Sequence, residues 1–126
     1  RQEVFNKVWY HAQTMTHRSM SSADITCLYL SPDGNKCFIG YFIEDEALAR
    51  ELDRNCLGIP SIPKKGIEKI FGESLVDGDI VFLGELQKIH DTHSIKYWKY
   101  KLENFAEDYK LTILSEYDQT NNLSEI

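Results

Sequence analysis

Four side chains in this sequence form a candidate combination for metal binding or nucleophilic chemistry. Cys27 and Cys37 flank the segment 31–35, Ser-Pro-Asp-Gly-Asn, and the adjacent pair His90 and Asp91 follows much later in the chain. A cysteine-dependent hydrolase uses these groups, because the imidazole takes the thiol proton and the carboxylate orients the imidazole. Thiols and imidazoles are also zinc ligands. Both hypotheses require folding to bring these distant residues together.

The zinc hypothesis needs a further ligand, which His93 can supply. Structural zinc takes about four nitrogen or sulfur ligands in tetrahedral geometry, usually from closely spaced pairs. The nine residues between Cys27 and Cys37 are far more than such a pair has, and the helix can end before His93. This spacing disfavours a structural zinc protein, which stays a second alternative. We expect no metal and no cofactor.

The thiol-catalysis hypothesis needs a cysteine with a lowered pKa. Cys27 and Cys37 lie in apolar runs, and apolar surroundings raise the pKa of a thiol. No pattern places either thiol at a helix N-terminus, where its pKa would fall. We therefore expect both cysteines to be packing residues and assign no catalytic residue. A Cys/His-dependent hydrolase of a small substrate stays the first alternative.

Residues 25–43 predict a β-hairpin. Two apolar and β-branched runs flank residues 32–34, Pro-Asp-Gly, which favour a type I turn closed by a glycine. This register pairs Tyr29 with Cys37. Both faces of the ribbon are apolar, and a two-stranded ribbon is marginal alone. Helices must therefore cover it.

Apolar residues at spacings of three and four predict the covering helices. We expect four or five of them, at about residues 2–17, 47–55, 62–71, 80–90 and 95–109. A short strand over Ile80–Leu83 is an alternative, because Ile-Val-Phe-Leu is β-prone. The prediction is an α+β fold in which the hairpin is packed by helices. It forms one globular domain over residues 1–114, followed by a flexible C-terminal tail over residues 115–126.

Charge and cysteine content restrict the partners and the compartment. The net charge of -6 disfavours binding to nucleic acid and to anionic membranes. No stretch approaches the roughly 20 apolar residues of a membrane helix. An odd number of cysteines without an export signal is typical of free thiols in the cytoplasm. We expect a cytoplasmic protein with no membrane partner, and the sequence leaves its oligomeric state open.

Several short motifs occur in one order along the chain. They are Cys-x-Tyr from Cys27, Pro-Asp-Gly-x-Lys-Cys-x-Ile-Gly from Pro32, Ile-x-Asp-Glu from Ile43 and Leu-Gln-x-x-His-Asp from Leu86. This combination resembles a group of small bacterial and bacteriophage proteins of unassigned function, over about residues 2–114. The group has no established activity. The resemblance therefore implies a phage or mobile-element origin, and with it the host cytoplasm, but no chemistry.

These observations favour a binding or inhibitory protein that acts without turnover. Its partner is a host protein or a small ligand, with a nucleotide-like molecule among the candidates. We expect a pocket where the hairpin meets His90, because Gly40 leaves space beside the ribbon. Two polar groups in an otherwise apolar pocket can orient a ligand. The expected lining is Tyr29, Cys37, Tyr41, His90 and Asp91.

Overall fold

The computed structural model describes residues 1–22, 26–72 and 77–123, and over these residues the chain is mostly helical. The helices are α1 (Gln2–Thr14), α2 (Glu46–Arg54), α3 (Lys64–Phe71), α4 (Asp77–Thr92), α5 (Trp98–Asp108) and α6 (Thr120–Leu123). Single turns of 3-10 helix lie at Gly40–Phe42, Ile59–Ser61 and Ile95–Tyr97. These ranges contain no β-strand, so the predicted α+β class is wrong. None of the described helices is both long and apolar enough to cross a bilayer.

Only the tip of the predicted hairpin at 25–43 forms. The N–H of Ser31 donates to the carbonyl of Asn35 at 2.9 Å, so the turn has the expected register. Leu30 and Lys36 then form one isolated antiparallel bridge. No ladder continues from this bridge through the described part of the segment. The local turn signal was correct, whereas the two strands were not.

Side chains from the helices accept from backbone N–H groups of this segment, and two of these groups, those of Tyr29 and Ile39, would donate within a ladder. The carboxylate of Asp53, at the end of α2, accepts from the N–H groups of Tyr29 at 2.8 Å and Leu30 at 3.1 Å. Oε1 of Gln87, on α4, accepts from the N–H of Ile39 at 2.9 Å. Buried backbone donors need partners, and these two side chains supply them. The segment therefore folds as an irregular loop between α2 and α4.

The space beside Gly40 is filled by the chain itself. A Cβ at Gly40 would lie 2.0 Å from the carbonyl oxygen of Tyr29. The missing side chain therefore permits contact between two parts of the same loop. The prediction that Gly40 leaves space for a pocket was therefore wrong.

The core lies where α1, α4 and α5 meet. The ring of Phe105 stacks on Phe5 at a centroid distance of 6.1 Å and lies 5.1 Å from the ring of Phe82. All three side chains are buried. The helix predicted over 80–90 is confirmed, and the alternative strand at Ile80–Leu83 is wrong. Burying such rings contributes about 1.5–3 kcal/mol each.

Residues 115–123, which sequence reasoning assigned to a tail, return to the end of α1. The side-chain amide of Asn122 donates to the carbonyls of Ala12 at 3.0 Å and Met15 at 2.7 Å. The hydroxyl of Tyr117 donates to Oδ1 of Asn122 at 2.6 Å. The carbonyl of Ala12 also accepts from the N–H of Met15 at 3.2 Å, so the amide of Asn122 adds a second bond there and a bond to the carbonyl of the residue that follows α1. Residues 124–126 lie outside the described residues.

Candidate ligand-binding site

A cleft of about 640 Å³ opens between residues 26–29, the end of α2 with the loop that follows it, and one side of α4. Its walls are mostly apolar, and all three cysteines of the chain line it. Small-molecule pockets in proteins typically have volumes of about 300–1,000 Å³ and apolar walls with a few polar groups. The cleft has the size and character of a ligand site.

The structure brings three of the five expected site residues to this cleft. Tyr29, Cys37 and Asp91 line it. His90 does not, because it lies behind the wall with 0% of its surface exposed. Its contribution to the cleft is therefore indirect, through the residues that it contacts.

Tyr41 lies away from the cleft. Its side chain is 45% exposed, and its ring stacks on His11 of α1 at a centroid distance of 4.4 Å. Nε2 of His11 donates to the carbonyl of Lys36 at 2.7 Å. Because burial lowers the pKa of His11, this histidine is a neutral donor that fastens the loop to α1.

Hydrogen bonds fix the tautomer of His90. The N–H of Ser19 points at Nε2 at 3.0 Å, and because an amide N–H only donates, Nε2 must accept. The proton therefore sits on Nδ1, which donates to Oδ1 of Asp91 at 2.7 Å. Nε2 of Gln87 donates to the same carboxylate oxygen at 2.8 Å. Two buried side chains of α4 thus hold one oxygen of Asp91.

Burial keeps the His90 ring neutral. Desolvation lowers its pKa, and this effect outweighs the bond to Asp91, which raises it. The ring packs against Phe38 at 5.5 Å and Trp98 at 5.3 Å between centroids. His90 is therefore a positioning residue that links the core to the Asp91 carboxylate.

The carboxylate of Asp91 keeps one oxygen open. Its side chain is 39% exposed at the cleft wall. Among the described residues no N–H or O–H group donates to Oδ2, and the nearby Arg18 donates to the backbone carbonyl of Asp91 instead, at 3.3 Å. The thiol of Cys27, a weak donor, also forms a side-chain hydrogen bond with Asp91. The cleft thus offers a ligand one acceptor of fixed orientation.

The two cysteines of the hydrolase hypothesis are poor nucleophiles. Burial, with the charge of Asp91 as the next cause, raises the pKa of Cys27 to about 11. Its Sγ lies 3.8 Å from the carbonyl oxygen of Asp91 and 3.3 Å from Sδ of Met20. Burial also raises the pKa of Cys37, whose Sγ accepts from a backbone N–H at 3.3 Å. Both thiols are therefore protonated at neutral pH.

Cys27, His90 and Asp91 nevertheless form a cluster, with one candidate ligand atom from each within 4.8 Å of the others. Catalysis or metal binding would need a free imidazole lone pair. The lone pair of Nε2 already accepts a hydrogen bond from the N–H of Ser19, and Nδ1 carries the proton. Using either nitrogen would break a buried hydrogen bond. The arrangement therefore favours neither the hydrolase nor the zinc hypothesis.

Sequence reasoning missed three residues of the cleft. Asp53 and Gln87 connect the loop to the helices, and the third cysteine, Cys56, lies exposed at the cleft. The spacing of Gln87 and Asp91 was an available signal, because residues four apart on a helix are neighbours. Nothing comparable in the sequence points to Asp53.

No protein-family model, no curated protein and no solved structure matches this chain. The expected viral or bacteriophage origin was based on the motif resemblance alone, and none of these comparisons supports it. We therefore withdraw that origin. The function has to be inferred from the cleft.

Proposed function

We propose that this protein binds a small, largely apolar ligand in the cleft and does not transform it. The observation that carries this proposal is an apolar cleft of about 640 Å³ whose wall presents the oriented carboxylate of Asp91. Apolar walls provide binding free energy, and a fixed polar group provides orientation. The protonated thiols and the occupied lone pair of His90 support binding without turnover.

The cleft favours a small ligand over a partner protein, and a largely apolar ligand over a nucleotide. A concave site of this size suits a small molecule better than the broad surface of a partner protein. A nucleotide would bring phosphate charge to a wall with the three carboxylates of Asp53, Glu85 and Asp91 and the single ammonium of Lys88. Like charges repel, so this lining disfavours a nucleotide. Three unpaired cysteines support the cytoplasm as the proposed compartment.

Gly84 offers a way to block the cleft without disturbing the core. It lies inside α4 and lines the cleft, and a Cβ built there meets no atom within 4 Å beyond the adjacent residues and the backbone of its own helix. In Gly84→Phe the new ring occupies the cleft. In Gly84→Ala, the matched control, the helix gains about 1 kcal/mol from the better helix former and the cleft stays open.

The experiment is a titration with the neutral apolar fluorophore N-phenyl-1-naphthylamine. We expect saturable binding of one molecule per chain to the native protein and to Gly84→Ala, and strongly reduced binding to Gly84→Phe. Thermal melts of all three proteins show whether each is folded. Equal binding by the folded Gly84→Phe variant, or no saturable binding by the native protein, would overturn the proposal.

A further inference from the structure

The support behind the Asp91 carboxylate is itself buried and hydrogen-bonded. His90 is 0% and Gln87 is 7% exposed, and both donate to Oδ1. Their other polar atoms accept from the backbone N–H groups of Ser19 and Ile39. Neither side chain can turn away without losing a buried hydrogen bond. Such support fixes a binding group more firmly than packing alone.

The other carboxylates at the cleft are arranged differently. Both oxygens of Asp53 already accept from backbone N–H groups of the loop. Glu85 is exposed, and its Oε2 accepts from the hydroxyl of Tyr109 at 2.5 Å. Among the three, Asp91 therefore combines an open oxygen with buried support. It is the group best placed to recognise part of a ligand.

The charge of Asp91 has no cationic partner among the described residues. His90, its one ion-pair neighbour there, is neutral, and Arg18 contacts the backbone carbonyl and not the carboxylate. An unpaired carboxylate at an apolar wall is costly to cover with a neutral or anionic ligand. A ligand cation offsets that cost through a charge-assisted hydrogen bond.

We infer that the ligand carries an ammonium or guanidinium group beside an apolar body, and that this cation donates to Oδ2 of Asp91. The inference rests on the small-ligand function proposed above and names the class of molecule. The apolar body fills the cleft between the loop and α4, and the cation lies at the Asp91 end. The exposed ammonium of Lys88 at the same cleft disfavours a second cationic group there.

The test uses three probes that share one apolar body: 4-phenylbutylamine, 4-phenylbutanol and 4-phenylbutyrate. Each competes with N-phenyl-1-naphthylamine at neutral pH. We expect the amine to bind about tenfold more tightly than the alcohol, and the carboxylate to bind most weakly. In Asp91→Asn, which keeps an oxygen for His90 and Gln87, the advantage of the amine over the alcohol should vanish. Binding of the fluorophore should persist.

Glu85→Gln is the matched control, because it removes one cleft charge without touching the buried support. The amine should keep its advantage there. In the native protein, added salt should weaken binding of the amine and not of the alcohol, and this measurement needs no variant to fold. Equal binding of amine and alcohol by the native protein would refute the inference and leave the proposed function intact. Failure of all probes, the fluorophore included, would refute both.

Discussion

Replacing His90 by Ala should be one of the most destabilising single changes in this protein. The ring is fully buried against Phe38 and Trp98, and its Nε2 is the acceptor for the N–H of Ser19. Truncating a large buried side chain costs about 2–5 kcal/mol. A buried N–H left without an acceptor costs about 1–3 kcal/mol more. The sum is a large part of the roughly 5–15 kcal/mol that stabilises a typical domain.

Two conservative variants separate packing from hydrogen bonding. The longer side chain of Gln reaches the position of Nε2 and can accept from Ser19. The shorter side chain of Asn reaches the position of Nδ1 and can donate to Asp91, but it leaves the N–H of Ser19 unsatisfied. We therefore expect the loss of stability to be largest for His90→Ala, intermediate for His90→Asn and smallest for His90→Gln.

The assay is urea unfolding followed by circular dichroism, with thermal melts as a second measure. For a chain of this size, each kcal/mol lost should lower the Tm by about 3–5 °C. His90→Gln removes one of the two donors to Asp91, so it should also reduce the advantage of 4-phenylbutylamine over 4-phenylbutanol. A His90→Asn variant more stable than His90→Gln would refute the tautomer assigned to His90. A His90→Ala variant as stable as the native protein would refute its role in the core.

Two further predictions concern pH and the loop. Burial lowers the pKa of His90 and His11, so the unfolded state binds more protons, and stability should fall as pH drops below about 6.5. Urea unfolding as a function of pH checks this, and a slope as steep in His90→Gln as in the native protein would exclude His90 as a cause. Gly40→Ala should unfold the protein or cost more than about 3 kcal/mol, because its Cβ would lie 2.0 Å from the carbonyl oxygen of Tyr29. Gly84→Ala, where space is open, should melt at or above the native temperature, and similar melts for the two variants would contradict the loop packing.

The sequence by itself determined the features that depend on neighbouring residues. Apolar spacing placed α1, α4 and α5 close to their observed positions. The Pro-Asp-Gly segment formed its turn, because proline fixes its own φ and Gly34 adopts a positive φ of 85° without steric cost. The Leu-Gln-x-x-His-Asp motif places Gln87 and Asp91 one helical turn apart, which is also a local property.

The tertiary structure decided the features that depend on distant residues. The predicted strands did not form because Asp53 accepts from the N–H of Tyr29, 24 positions away, and Gln87 accepts from the N–H of Ile39, 48 positions away. Residue propensities do not record such long-range competition for backbone donors. The same holds for the site. The tautomer of His90 is set by the backbone of Ser19, 71 positions away. The sequence shows which side chains can donate, accept or titrate. The packing of the whole chain decides which of their lone pairs and donors remain free.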